Sequence, residues 1–364
     1  MKSIFTLIPK AAHIILICFL FGSLDCIAQK DSSKKFKFSG YGELYYSYDF
    51  SKPINFEKPD YNYNYKKHNQ LNVNLAYAKA SYQTNRFRSN LAIMAGNYAT
   101  YNLSNEPNWA RSIFEANVGY KIVKQHNLWV DAGIMPSHLG FESAVGVDCW
   151  TLTRSILAEN SPYFETGVSV NYTNNKENVV VAFYVLNGWQ KIALSKFNAK
   201  PSFGIQVNYK PNSAITLNYS NFIGSAKPDS LQAFRIFHNL YAIYDASPNL
   251  SFIVGLDVGT EKIVGTKLAV WYTPVFISKI SLHQKHRLAG RLEFYSDPKQ
   301  VIIQTGSANG YQTWGASVNY DYQITPKVLL RAEVKTYQSK DAIFQYELPS
   351  RISNTATVAM AVKL

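Results

Sequence analysis

Sixteen short segments in which oily and polar side chains alternate, joined in turn by tight turns and long polar loops, constrain this chain more than any other feature. The closing segment shows the pattern most plainly. Ala356, Val358, Met360, Val362 and Leu364 fall on one face, with Thr357, Ala359, Ala361 and Lys363 between them. Strand side chains alternate with period two, so such a segment has one apolar face and one small or polar face. A single strand of this kind suits a soluble sandwich as well as a membrane wall. The distinction rests on the number of segments and on what joins them.

Strands are predicted over 36–48, 70–82, 86–98, 112–122, 127–135, 162–172, 177–186 and 202–209, then 213–223, 234–245, 249–259, 266–277, 284–296, 311–323, 326–337 and 353–364. Phe114, Ala116, Val118, Tyr120 and Ile122 form a lipid-facing row in the fourth, and Trp314, Ala316, Val318, Tyr320 and Tyr322 in the fourteenth. In the fifteenth, Arg331, Glu333 and Lys335 share the other face with Leu329. A sandwich core would bury those charges at high cost, whereas a watery lumen accommodates them.

Connections after even-numbered strands are tight (83–86, 210–213, 245–249, 324–326) and carry turn-forming Asn, Pro or Ser. Those after odd-numbered strands are mostly long: 50–69, 99–111, 136–161, 297–310 and 338–352. Outer-membrane barrels have short periplasmic turns and long outside loops. The fold expected is therefore all-β, a transmembrane antiparallel up-and-down β-barrel of about sixteen strands with both termini periplasmic. Aromatics make up 15% of the chain, with 26 Tyr. Several lie near predicted strand ends (Tyr45, Tyr46, Tyr48, Tyr98, Tyr101), as interfacial girdles require.

Lys2 and Lys10 precede an apolar run, Ile14 to Leu24, that is shorter than the ~20 residues of a helical span. This reads as a signal peptide over 1–28, cut after Ala28, leaving a barrel domain over 29–364. Cys18 and Cys26 leave with it, so Cys149 has no disulfide partner. No later run suits a helical span, and the bacterial outer membrane is the expected location.

The stretch Ala132 to Gly167, AGIMPSHLGFESAVGVDCWTLTRSILAENSPYFETG, followed by LNGWQ at Leu186 to Gln190, resembles the OmpL-like β-barrel porin family. The most specific parts are MPSHLGFES, TLTRSILAENSPYFETG and LNGWQ, and the resemblance extends across the mature chain. It implies an outer-membrane porin and adds no catalytic residue. The terminal Leu364 departs from the aromatic that ends many such barrels.

A barrel of this width leaves an aqueous channel, whereas about eight strands would be filled by side chains. Passive diffusion of small hydrophilic solutes is expected, tuned by charge at the narrowest point. The best constriction candidate is the 136–161 connection, which holds His138, Glu142, Asp148, Arg154 and Glu159. It either folds into the lumen or forms a solvated outer loop. On the wall, Arg86, Arg88, Arg287, Arg291, Glu293, Arg331, Glu333 and Lys335 point inward by parity.

The chain carries +13. Yet the inward positions Lys37, Lys79, Arg86, Arg88, Lys121, Arg287, Arg291, Arg331, Lys335 and Lys363 nearly balance Glu43, Asp49, Glu115, Asp131, Glu165, Asp257, Glu293, Asp321 and Glu333. The excess belongs to loops and turns, where it meets outer-membrane lipid and lipopolysaccharide. Other expected partners are the barrel-assembly machinery and, as an open question, two further copies in a homotrimer. No nucleic acid is implied, since no basic cluster sits in a binding fold. No cofactor or metal is expected: His283 and His286 lack ligand-spaced carboxylates, and no CxxC occurs. Ser137 beside His138 is the nearest pair to a hydrolase dyad, and no enzyme is expected. The competing reading is a closed barrel acting as a surface binding or adhesion protein through tyrosine-rich loops such as Asp60 to Tyr65.

Overall fold

The computed structural model describes residues 35–194, 200–225, 227, 229–231, 233–262, 268–345 and 349–364; the signal peptide expected over 1–28 lies outside them. In chain order the strands are β1 (Phe36–Asp49), β2 (Leu71–Gln83), β3 (Phe87–Ala95), β4 (Ile113–Val123), β5 (Asn127–Pro136), β6 (Phe164–Thr173), β7 (Val179–Leu186) and β8 (Ser202–Asn212). They continue as β9 (Ile215–Gly224), β10 (Arg235–Ser247), β11 (Leu250–Glu261), β12 (Ala269–His283), β13 (His286–Asp297), β14 (Tyr311–Thr325), β15 (Val328–Ser339) and β16 (Ile352–Lys363). Each pairs antiparallel with its sequence neighbours, and β16 pairs with β1 to close a sixteen-stranded barrel. At that seam Tyr41 lies opposite Lys363 and Asp49 opposite Thr355. Closure leaves the barrel sheet without an edge, the condition for strand backbone to lie in hydrocarbon; a separate short pairing of Phe344–Gln345 with Pro349–Ser350 lies between β15 and β16.

The tight turns close through their own side chains. Thr84 Oγ1 accepts the Phe87 amide at 2.9 Å, Asn174 Oδ1 accepts those of Asn178 and Val179 at 3.0 Å, and Thr325 Oγ1 accepts that of Val328 at 3.2 Å. Such local bonds offer the backbone an alternative to the strand ladder, so the chain reverses there.

Alternation holds where it was read most clearly. Val358 and Met360 face outward while Thr357, Ala359 and Ala361 are buried, and Trp314 and Val318 are exposed while Ser317, Asn319 and Asp321 are buried. Phe114 departs from its expected lipid-facing place. The β3–β4 register slips between Ala92, which faces Glu115, and Ile93, which faces Ile113. The bulge re-aims one side chain. Phe114 stacks on Tyr77 with centroids 4.9 Å apart and lies 5.9 Å from Tyr98, inside the barrel.

The third strand also ends sooner than expected. It stops at Ala95, Gly96 takes a φ of +116°, and Tyr98–Asn102 winds into one helical turn. A side chain is strained at such a φ. Tyr98 is thereby buried within the barrel, Tyr45 is buried on the inward face of β1 by alternation, and neither is a girdle residue, whereas Tyr46 is exposed.

Candidate functional site

The segment 137–163, between β5 and β6, enters the lumen and crosses it. Its base is fixed by Glu165: the carboxylate accepts Ser137 Oγ at 3.1 Å and meets His138 Nδ1 at 2.8 Å, while His138 Nε2 lies 2.8 Å from the Asn221 carbonyl. Both ring nitrogens thus face acceptors, the environment of an imidazolium. Burial disfavours the charged ring, but Glu165, with the Asn221 carbonyl, outweighs it and holds the His138 pKa above its ordinary value. The ring stacks on Tyr184 at 4.1 Å, and Gly204 gives it room: a Cβ there would lie 2.6 Å from Nε2.

Further along, the Gly140 amide donates to Asn239 Oδ1 at 3.1 Å, and Phe141 packs edge-on to Tyr241. The Trp150 ring lies under Lys279 Nζ at 4.1 Å. The loop therefore reaches strands β9 to β12 before it meets the charged wall of β13 to β15.

There its backbone is bonded to wall side chains. The Leu152 amide donates to Asn319 Oδ1 at 2.9 Å and the Ile156 amide to Glu293 Oε2 at 2.6 Å. Arg331 donates to the Gly146 and Cys149 carbonyls at 2.7 and 3.0 Å, and Lys335 to the Arg154 carbonyl at 2.9 Å. Arg291 lies 3.2 Å from Glu293, 3.0 Å from Glu333 and 3.9 Å from Glu142, and donates to Thr151 Oγ1 at 2.6 Å. Arg291, Glu293 and Glu333 have no side-chain exposure at all. Charges so deeply buried persist only when paired and hydrogen-bonded, as these are.

The loop's own charges brace it. Arg154 donates to the Ser143, Leu152 and Ala144 carbonyls at 2.7, 2.7 and 3.1 Å. Glu142 accepts the amide and hydroxyl of Ser155, and Glu159 accepts the amides of Tyr63 and Asn64 at 2.7 and 3.1 Å. Burial raises the pKa of both carboxyls above the usual carboxylate value. It also pushes the Cys149 thiol up to about 11, far from a nucleophile's range.

The remaining candidates are more open to water. Asp148 is half-exposed and pairs with Lys363 at 2.9 Å; Arg287 is partly exposed and 3.9 Å from Asp321. Arg88 meets Asp131 through Nε at 2.6 Å and Nη2 at 2.5 Å, and lies 4.4 Å from the Trp129 ring centre. Arg86 is not an inward residue. It belongs to the β2–β3 turn, where strand parity no longer applies, and its guanidinium covers the outward-facing Tyr120 ring at 4.8 Å. The loop after β1 also turns inward: Tyr65 is buried against Tyr45 and donates to Glu43 at 2.9 Å, and Tyr61 packs on Tyr311.

Two features escaped the sequence reading. Parity makes Glu165 an inward acid but does not reveal it as the clamp on His138. Arg235 donates to Glu261 at 2.6 Å between the rings of Trp189 and Trp271. A signal was present for both, since Glu165 lies in the TLTRSILAENSPYFETG run and Trp189 in LNGWQ. Those distinctive stretches are the lumen loop and its supports: Gln190 Oε1 accepts the Tyr163 amide at 2.9 Å.

Against strands β2 to β7 the loop leaves gaps, although its Ala144, Val145, Leu157 and Tyr163 share an apolar cluster with Leu75, Met94, Tyr98 and Ile134 of that side. Two cavities of 380 and 360 Å³ lie there and share Glu115 and Pro136. Lys79 and Glu115 line the first; Arg88, Asn90, Asn117, Asp131 and Asn171 line the second.

Known structures share this architecture. An anion-selective porin from Comamonas acidovorans superposes with a TM-score of 0.59 at 9% identity, covering 90% of this chain and 99% of that one. The outer membrane channel DcaP of Acinetobacter baumannii gives 0.60 at 8% identity, with 90% and 97% covered. A trimer form of OmpT from Vibrio cholerae gives 0.55 at 9% identity, with 90% and 99% covered. No curated protein matches the sequence. The model of the family described as "Putative beta-barrel porin-2, OmpL-like" matches residues 35–364, the full span of the described barrel, and the chain belongs to that family.

Proposed function

We propose that this outer-membrane porin passes small hydrophilic solutes by passive diffusion along the β2–β7 side of its lumen, with segment 137–163 setting the bore. One observation carries this reading: the segment is bonded to the wall from β9 to β15, while water-sized space persists beside β2 to β7. In this reading Glu142, Arg154, Glu159, Arg291, Glu293, Arg331, Glu333 and Lys335 anchor the loop. Arg88 and Asp148 keep contact with water and with passing solute, and Arg287 on β13 keeps contact with water alone. His138 latches the loop base.

Export through a signal peptide over 1–28, insertion by the barrel-assembly machinery, and contact of the outer rim with lipopolysaccharide belong to the same proposal. So does a homotrimer, which the trimer form of the Vibrio cholerae protein supports. Ser137 and His138 each bond Glu165, an arrangement that supports a positioning role over hydrolysis. The inward turn of Tyr61 and Tyr65 counts against a closed adhesion protein that presents them to a ligand.

Single-channel current of the detergent-folded protein in a planar bilayer, under a salt gradient, tests the reading. Discrete steps with a small reversal potential are expected, because lumen charges in reach of water are largely paired. Silence in repeated insertions of protein shown to be folded overturns it.

A further inference from the structure

The chemistry of the open wall goes further than its location. Its uncharged side chains form two hydrogen-bonded runs. Ser81 Oγ donates to Asn90 at 2.9 Å and Asn90 to Asn117 at 2.9 Å; Asn171 donates to Ser169 at 2.9 Å and to Asp131 at 2.8 Å. Each fixed charge beside them has an opposite partner in contact. Lys79 meets Glu115 at 2.5 Å, and the Arg88–Asp131 pair is bidentate. The wall is therefore rich in dipoles and nearly free of net charge.

An ion entering a narrow path loses hydration and needs fixed charge or a ring of carbonyls to replace it. Paired charges supply little of either. A vicinal diol or a ring of hydroxyls has the complementary requirement, since each hydroxyl both donates and accepts, as a carboxamide does. Exchanging an amide–water bond for an amide–hydroxyl bond changes the free energy little, so solutes bind briefly and leave. Cavities of roughly 300–1,000 Å³ hold small-molecule ligands, and both cavities fall in that class.

We propose that the Ser81–Asn90–Asn117 and Ser169–Asn171 runs form a track for neutral, hydroxyl-rich solutes of the sugar class, which the channel passes ahead of ions of either sign. This rests on the channel reading above and specifies its solute.

The test is swelling of proteoliposomes holding the full mature barrel, in glucose, gluconate or glucosamine, which match in size and differ in charge. Glucose is expected to enter fastest. Asn90→Leu removes one rung of the track and is expected to slow glucose about fivefold, the effect of one ordinary hydrogen bond, with little change for the ions. Should that variant not fold, Arg88→Gln strands Asp131 without its partner and is expected to carry glucosamine past gluconate. Gluconate or glucosamine entering the unaltered protein as fast as glucose overturns the sugar track and leaves the channel intact. Entry of no solute, with no current steps, overturns the channel and the track together.

Discussion

The two sides of this lumen are written in the same alternating pattern and end in opposite states. From β2 to β7 the inward polar residues that line the second cavity and its rim are amides, hydroxyls and two ion pairs that touch water. From β13 to β15 they are Arg291, Glu293, Arg331 and Glu333, richer in charge yet sealed beneath the loop. The difference teaches that charge density on a barrel wall does not measure what a solute meets. In the proposed reading the most charged strands act as a mount, and the milder ones serve as the passage.

The strongest way to break this comparison is to remove the mount. Arg291→Ala leaves Glu293 and Glu333 buried without their cation and is expected to destabilise the barrel by about 3–5 kcal/mol. Thermal or urea unfolding reads the loss, and the surviving folded channels should show a larger, noisier conductance. An unchanged midpoint with unchanged conductance would mean that the wall does not hold the loop.

A second intervention acts at the latch. The folded His138 pKa is raised, so its stabilising contribution is full below the ordinary imidazole pKa of about 6.5 and is lost as pH climbs through the folded value. The unaltered channel is expected to flicker more as pH is taken from 6 toward alkaline values, while His138→Ala flickers at every pH. Current noise against pH distinguishes the two.

The contrast can also be sharpened chemically. A thiol placed at Asn90 should react with a water-soluble maleimide in the folded barrel, while Cys149, buried and held protonated, stays unmodified. Mass spectrometry of the labelled protein settles which thiols reacted. The smallest effect is expected at the loop's water-facing contact. Lys363→Ala breaks a half-exposed pair with Asp148 and should change stability by no more than about 1 kcal/mol.

Much of the wall was legible because it depends on two local quantities, the period of alternation and the length of each connection. Both survive without knowledge of distant contacts. Phe114 failed since a bulge is one residue of extra length, invisible in a pattern that continues on either side. Strand three was read through Gly96, whose left-handed backbone ended it, and β12 was stopped short of His283. The place of segment 137–163 was open for a deeper reason. Its polar residues read equally as a solvated loop, and only partners more than a hundred residues away, such as Asn319 for Leu152, make burial affordable.

Those distant partners also fix a chronology. Residues of the loop meet Glu293, Asn319 and Glu333 across sequence separations of 137, 167 and 180. Contacts of such span form late and slowly. The segment can take up these bonds only once β13, β14 and β15 stand opposite β5 and β6, so its final seat waits on most of the wall. The loop is in that sense a crosspiece, tying strands early in the chain to strands at its end and bracing the cylinder from within.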